Sequence, residues 1–149
     1  MKVLLIASTG GHLAQLAEVR RYWRDVEVEW VTFDKPDAAA ACGSEPVVWA
    51  HHPTTRNPRN AVRNALLAAR VLRRSRPDVI LSNGAGVAVP FFVVARVLRI
   101  RTVYLEVFDR IALPTLSGLL CYPIADTFLV QWPQQRRLYP KAKLVGQVY

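Results

Sequence analysis

Cysteine, long apolar runs and acidic residues are all scarce in this chain, and each shortage narrows what the protein can be. Two cysteines, Cys42 and Cys121, occur among 149 residues. Neither stands in a CxxC pair or beside a histidine, so no zinc site and no disulfide framework is encoded. Both are expected to be buried thiols of a reducing compartment. His51-His52 lacks further ligands at metal-binding spacing and reads as loop, so no metal site is expected. Long apolar runs are missing as well. The longest, residues 87–95, contains Pro90 and stops at Arg96. It falls well short of the ~20 residues that a membrane-spanning helix requires. The apolar stretch 3–7 behind Met1-Lys2 is too short for a secretory leader and runs into a glycine turn rather than a cleavage site. The expectation is a cytoplasmic protein with peripheral membrane contact at most. Repeats, low-complexity segments and internal linkers are absent, and the length suits one domain over residues 1–149.

Arginine, in contrast, is abundant. Lys and Arg number 20 against 11 Asp and Glu, for a formal net charge of +9. Between Glu45 and Glu106 the sole acidic residue is Asp78, in a stretch that holds Arg56, Arg59, Arg63, Arg70, Arg73, Arg74, Arg76, Arg96, Arg99 and Arg101. That balance points to an anionic partner: nucleic acid, acidic lipid or a phosphorylated substrate. No aromatic-interleaved basic sheet and no helix-turn-helix pattern accompanies it, so no nucleic acid partner is expected.

Strand and helix patterns alternate along the chain. Residues 3–7 form a continuous apolar run, as a strand buried on both faces requires. Leu13, Leu16, Val19 and Trp23 recur at helical spacing and predict a helix over 12–24. Further strands are predicted at 28–33, 47–49, 79–81, 102–105, 128–130 and 143–145. Short helices are predicted at 36–41 and 133–138, and a buried one at 87–98. Residues 116–124 are apolar but broken by Pro123. The clearest helix spans 58–75, opened by Pro58 and stopped by Pro77. Val62, Ala65, Ala69 and Leu72 are expected on its inner face, with Arg59, Arg63, Arg70, Arg73 and Arg74 on another. Together these elements predict an α/β fold, a Rossmann-like doubly wound parallel sheet. Ligands should bind at the carboxyl ends of its strands, near the topological switch point.

Three stretches follow predicted strands and fall on that edge. In Ser8-Thr9-Gly10-Gly11-His12, bare backbone N–H groups and the positive end of a helix suit a phosphate. The pattern is neither GxGxxG nor a P-loop, so an NAD or ATP site finds little support. His12 has the chemistry of a general base toward a hydroxyl, or else simply starts the helix. Ser82-Asn83-Gly84-Ala85-Gly86 repeats the logic, as a second phosphate or sugar contact or as a compact turn. Glu106-Val107-Phe108-Asp109-Arg110 offers Glu106 as base or sugar ligand and Arg110 as a phosphate partner, with a structural Glu106–Arg110 ion pair as the competing reading. On the helix 58–75, Arg59, Arg63, Leu66, Leu67 and Arg70 suit an acidic membrane surface. A solvated amphipathic helix fits the same residues.

Five motifs come in a fixed order: Ser-Thr-Gly-Gly-His (8–12), Asn-Gly-Ala-Gly-Val-Ala-Val-Pro (83–90), Glu-Val-Phe-Asp-Arg (106–110), Leu-Ser-Gly (116–118) and Val-Gln-Trp-Pro (130–133). In this combination the chain resembles the bacterial capsule and exopolysaccharide glycosyltransferase subunits of the PssD/CpsF type. Those are similar to the eukaryotic membrane-anchoring subunit of the UDP-N-acetylglucosamine transferase of asparagine-linked glycosylation. The resemblance covers residues 3–146. It implies the N-terminal, acceptor-binding half of a GT-B glycosyltransferase divided between two subunits, seated on the inner face of the cell membrane. A companion subunit then supplies the C-terminal half and most of the UDP-sugar site. The acceptor is a polyprenyl-diphosphate-linked sugar, and no metal or other cofactor takes part.

The resemblance maps a diphosphate-binding loop onto Gly10, Gly11 and His12, and a second turn onto Gly84 and Gly86. The candidate site is therefore His12 or Glu106 as base, with Ser8, Thr9, Gly10, Gly11, Asn83, Gly84, Gly86 and Arg110 around the acceptor diphosphate. Two departures stand out. The eukaryotic subunit carries an N-terminal membrane helix, for which Met1-Lys2 leaves no room. The family glutamate is often followed by serine, where this chain has Val107. Two other readings stay open: a non-catalytic protein that anchors or activates a complete partner enzyme, and a self-contained nucleotide-binding Rossmann protein. A half-enzyme should expose an apolar interface. Val145, Val148 and Tyr149 are candidates for it, and the isolated chain could pair with itself there.

Overall fold

The computed structural model describes residues 1–148. The chain runs β1 (Lys2–Ile6), α1 (Gly11–Arg21), β2 (Glu27–Thr32), α2 (Pro36–Cys42), β3 (Val47–Trp49), α3 (Pro58–Ser75), β4 (Val79–Ser82), α4 (Ala88–Leu98), β5 (Arg101–Leu105), α5 (Leu116–Cys121), β6 (Thr127–Val130), a 3-10 turn (Pro133–Arg137) and β7 (Lys143–Leu144). All seven strands pair in parallel, in the order β3-β2-β1-β4-β5-β6-β7. The strand order reverses between β1 and β4, where Ile6 lies opposite Ser82. This is the doubly wound sheet expected from the alternating pattern, with its switch point between the two glycine turns.

Apolar residues on both strand faces build two cores. On one side Leu4, Ile6, Val31 and Ile80 pack against Ala68, Val71 and Leu72 of α3, Phe91, Phe92 and Ala95 of α4, and Cys121 of α5. On the other, Val3, Leu5, Val28 and Trp30 meet Leu13 and Leu16 of α1 and Ala38 and Cys42 of α2. Each large apolar side chain sealed this way contributes about 1.5–3 kcal/mol. Both cysteines are free and buried.

Helix α3 is rotated from the expected orientation. Its inner face is Asn60, Asn64, Ala68, Val71 and Leu72, while Val62 is 62% exposed. The cause is local. The Asn64 amide accepts from His51 N at 2.8 Å and donates to His51 O at 2.9 Å. Asn60 Nδ2 donates to Pro53 O at 2.9 Å. Two polar residues are turned inward because the loop after β3 offers backbone groups that need partners. The ambiguous stretch 116–124 resolves as α5, which ends before Pro123.

The two faces of the sheet are not equally covered. Helices α1 and α2 leave part of their face uncovered. Over β4, β5 and β6 that face lies open as a groove of about 510 Å³, lined by Val79, Leu81, Val103, Leu105, Leu129 and Val148. Val145 and Val148, the residues named for an apolar interface, line this groove, whereas Tyr149 lies outside the described residues.

Candidate functional site

The two glycine turns are tied to each other at the switch point. His12 Nδ1 lies 3.0 Å from Asn83 O, and Asn83 Nδ2 donates to His12 O at 2.7 Å and to Gln15 Oε1 at 3.1 Å. A carbonyl oxygen has no proton to give, so His12 must carry its hydrogen on Nδ1. Nε2 is the ring's second nitrogen, and it has no protein partner among the described residues. The first N–H groups of α1, at Gly11, His12 and Leu13, precede the first intrahelical bond, and Gly10 caps the helix without a side chain. Bare N–H groups at the positive end of a helix form an anion site.

The second turn is held from below. Ser82 Oγ donates to Ile6 O at 2.7 Å and accepts from Gly84 N at 3.1 Å. Gly84 has φ +110°, and a Cβ there would stand 2.6 Å from Tyr104 OH. A side chain at this position is therefore excluded twice, by backbone conformation and by space.

Several candidate residues take roles other than those expected. Asn83 is fully buried and acts as the tie between turns rather than as a ligand contact. The N–H of Gly10 is taken by Asp37 Oδ2 at 2.7 Å, so the free N–H donors of the turn begin at Gly11. Ser8 and Thr9 are half-buried beside the turn, and Gly86 lies against Thr54 of the preceding loop.

The largest correction concerns Glu106, which has no exposed surface. Thr115 Oγ1 donates to its Oε1 at 3.0 Å, the Tyr139 hydroxyl donates to Oε2, and Val107 N donates to Oε1 at 3.1 Å. With its oxygens occupied and out of solvent, Glu106 cannot serve as the base for a substrate hydroxyl. No ion pair with Arg110 forms among the described residues either, and Arg110 is exposed. Hydroxyls, a backbone N–H and the N-terminus of α5 take the place of a cation around this carboxylate. Thr115 joins the two, since its Oγ1 also accepts from Gly118 N at 2.9 Å as the cap of α5. Burial pushes the phenols of Tyr104 and Tyr139 up, and the neighbouring Glu106 charge reinforces both shifts.

The loop after β5 is pinned by residues to which sequence reasoning assigned no role. Gln131 Nε2 donates to Glu106 O at 2.9 Å, Gln135 Nε2 to Val107 O at 3.0 Å, and Trp132 Nε1 to Phe108 O at 2.6 Å. Gln131 and Trp132 belong to the Val-Gln-Trp-Pro motif, and that motif was the available signal. Tyr139 and Thr115 had none. Of the proposed membrane contacts, Arg59, Arg63, Leu66 and Arg70 are exposed. Leu67 is not one of them, because it packs against the core beneath α3.

The edge of the sheet thus presents an imidazole nitrogen, a group of helix N–H donors and an exposed arginine, a set suited to an anionic substrate carrying a hydroxyl. The fold agrees with that of solved structures. Over 98% of the chain superimposes on 44% of an Acinetobacter baumannii MurG chain, with TM-score 0.76 and 17% identity. A UDP-GlcNAc 2-epimerase from Neisseria meningitidis bound to UDP-GlcNAc matches 99% of the chain with 46% of its own, at TM-score 0.76 and 12% identity. The shared feature is one Rossmann-like half of a GT-B architecture. In sequence, the UDP-N-acetylglucosamine transferase subunit ALG14 of Eremothecium gossypii is 39% identical over 100 residues, covering 59% of this chain and 45% of that protein. The Rattus norvegicus subunit of the same name is 34% identical over 84 residues, covering 52% and 39%. The chain therefore spans less than half the length of these curated relatives. The family model described as "Oligosaccharide biosynthesis protein Alg14 like" matches residues 51–148, which run from the loop clamped by α3 through the second glycine turn, Glu106 and the Val-Gln-Trp-Pro segment. On that match, the chain belongs to the Alg14-like family of oligosaccharide biosynthesis proteins.

Proposed function

We propose that this chain is the acceptor-binding subunit of a two-component inverting glycosyltransferase of the bacterial PssD/CpsF type. In this reading it acts on a polyprenyl-diphosphate-linked sugar during capsule or exopolysaccharide assembly, at the inner face of the membrane. The observation that carries the reading is the reciprocal lock between His12 and Asn83. It fixes the ring through Nδ1 and leaves Nε2 facing helix N–H donors suited to a diphosphate. The name of the curated relatives, a UDP-N-acetylglucosamine transferase subunit, supports a UDP-sugar as donor.

The acceptor diphosphate lies on the N–H groups of Gly11, His12 and Leu13, and Arg110 neutralises its outer oxygens. His12 Nε2 takes the proton of the acceptor hydroxyl as its oxygen attacks the anomeric carbon of the donor. The new C–O bond forms as the bond to UDP breaks. UDP leaves with the electron pair, and the configuration inverts. The donor arrives on the companion subunit, for which the open groove over β4, β5 and β6 offers an apolar docking surface. No cofactor enters the scheme.

The test is reconstitution with the companion subunit, UDP-sugar and lipid-linked acceptor. The His12→Ala variant is expected to lower kcat about 10²–10⁴-fold, the range for loss of a general base. Undiminished turnover by His12→Ala would remove the base assignment, and full turnover by the companion alone would make this chain an accessory.

A further inference from the structure

Helices α3, α4 and α5 cover one face of the sheet, and their sequences contain no acidic residue. On α3, Arg59, Val62, Arg63, Leu66, Arg70 and Arg73 are all exposed and recur at spacings of a helical turn, so they form one outward stripe. Val62 and Leu66 in that stripe are 62% and 66% exposed. Val93 and Val97 project from α4, and Leu116, Leu119 and Leu120 from α5. Helix α4 packs against both neighbours, which makes the three outer faces one surface. The opposite face differs: α1 and α2 carry Glu18 and Asp37.

Topology orients this surface relative to the site. Crossover helices run antiparallel to the strands they connect, so the N-termini of α3, α4 and α5 lie at the carboxyl edge of the sheet, beside the glycine turns. The segment leading into α5 adds exposed Ile111 and Leu113 there. The layer therefore combines aliphatics bordering the site with arginines along its length.

A merely solvated helix layer mixes charges of both signs and does not expose aliphatics in register on adjacent helices. A second copy of the chain would meet arginine with arginine, because a two-fold contact places like surfaces together and this one has no carboxylate to answer them. An anionic bilayer satisfies both features: headgroup phosphates pair with guanidinium groups, and the aliphatics enter the headgroup–acyl boundary. No described helix is long and apolar enough to cross a membrane, so contact through this face would lie along the surface.

We infer that the outer face of the α3–α4–α5 layer is the surface on which this chain lies against an anionic bilayer, with Leu116, Leu119 and Leu120 as its apolar contact and the α3 arginines on lipid phosphates. This rests on the proposed lipid-acceptor role and deepens it, because the N-termini of the same helices lie at the sheet edge that carries the glycine turns.

The experiment is co-sedimentation of the full chain with vesicles of phosphatidylcholine alone or of an equal mixture with phosphatidylglycerol. Binding to the mixed vesicles only, weakening with added salt, is expected. The triple variant Arg59→Gln, Arg70→Gln, Arg73→Gln should bind about a hundredfold more weakly, near tenfold or less per arginine. The variant Val97→Ser, Leu119→Ser, Leu120→Ser should lose about tenfold or more. A control on the other face, Tyr22→Ser with Arg24→Gln, should bind like the parent. Thermal melts establish that each variant is folded. Equal binding to both vesicle types, no binding to either, or undiminished binding by both layer variants would overturn the inference. Vesicle binding without sugar transfer would sink the proposed chemistry alone. Transfer to a detergent-solubilised acceptor without vesicle binding would sink the bilayer surface alone.

Discussion

His12 and Glu106 show how two candidate bases can meet opposite outcomes. Both follow strands, and both have the chemistry of a base. His12 is half-buried, held by Nδ1, and leaves its second nitrogen available. Glu106 is sealed beneath Thr115 and Tyr139. If the lock on the His12 ring matters, Asn83→Ala should lower kcat about 10²-fold while leaving the imidazole in place, since misplacing a reacting group by about 1 Å costs that much. Steady-state kinetics of the reconstituted enzyme will show it, and an unchanged kcat would mean that the tie is merely structural. For Glu106, exchange of the carboxylate for an amide turns one acceptor into a donor facing other donors. Glu106→Gln should therefore destabilise the fold by about 1–3 kcal/mol, the cost of a buried unsatisfied polar group. Urea denaturation measures it. A second test of the same cluster is Gly118, whose added Cβ would lie 2.5 Å from Tyr139 OH and 2.7 Å from Thr115 Oγ1. Gly118→Ala is expected to cost about 1–3 kcal/mol by overpacking.

At the scale of the element, α3 is the most instructive. Its existence, its start at Pro58 and its stop before Pro77 were legible, because proline and periodicity are local signals. Its inner face was not. Val62 and Ala69 form an apolar stripe that looks like a core face, and Asn60 and Asn64 look like solvent residues. The asparagines turn inward because they bond the backbone of the loop just before the helix, a contact that helical periodicity does not reveal. Asn64→Ala leaves the N–H and C=O of His51 without their amide partner, and a loss of about 1–3 kcal/mol per group left unsatisfied is expected in denaturation curves. The same limit explains the site. Each glycine turn could be read from its own residues, whereas the bond joining His12 to Asn83 spans 71 positions. Likewise, nothing near Glu106 in sequence announces that Tyr139 closes over it.

For the whole molecule, the buried acids and thiols set a pH range. Burial pushes Cys42 up to about 11 and Cys121 up to about 12, from an ordinary value of 9.0, and the buried phenols of Tyr104 and Tyr139 shift upward too. The unfolded chain releases these thiol protons near 9, while the folded chain keeps them. Stability contributed by the groups is therefore complete below about 9 and falls as pH rises toward 11–12. Melting temperatures recorded from pH 7 upward should show a decline that sets in near 9, and neither thiol should react with alkylating reagents at neutral pH. The sheet has a second molecule-wide property in its open groove. A chain with an apolar groove on one sheet face ties its own lifetime to whatever fills that groove. Copies made in excess would be cleared by proteases through their transiently opened forms, while filled copies would persist. If the proposed companion subunit is what fills the groove, surplus of this chain would correct itself, and the ratio between the two would be kept by turnover rather than by matched synthesis.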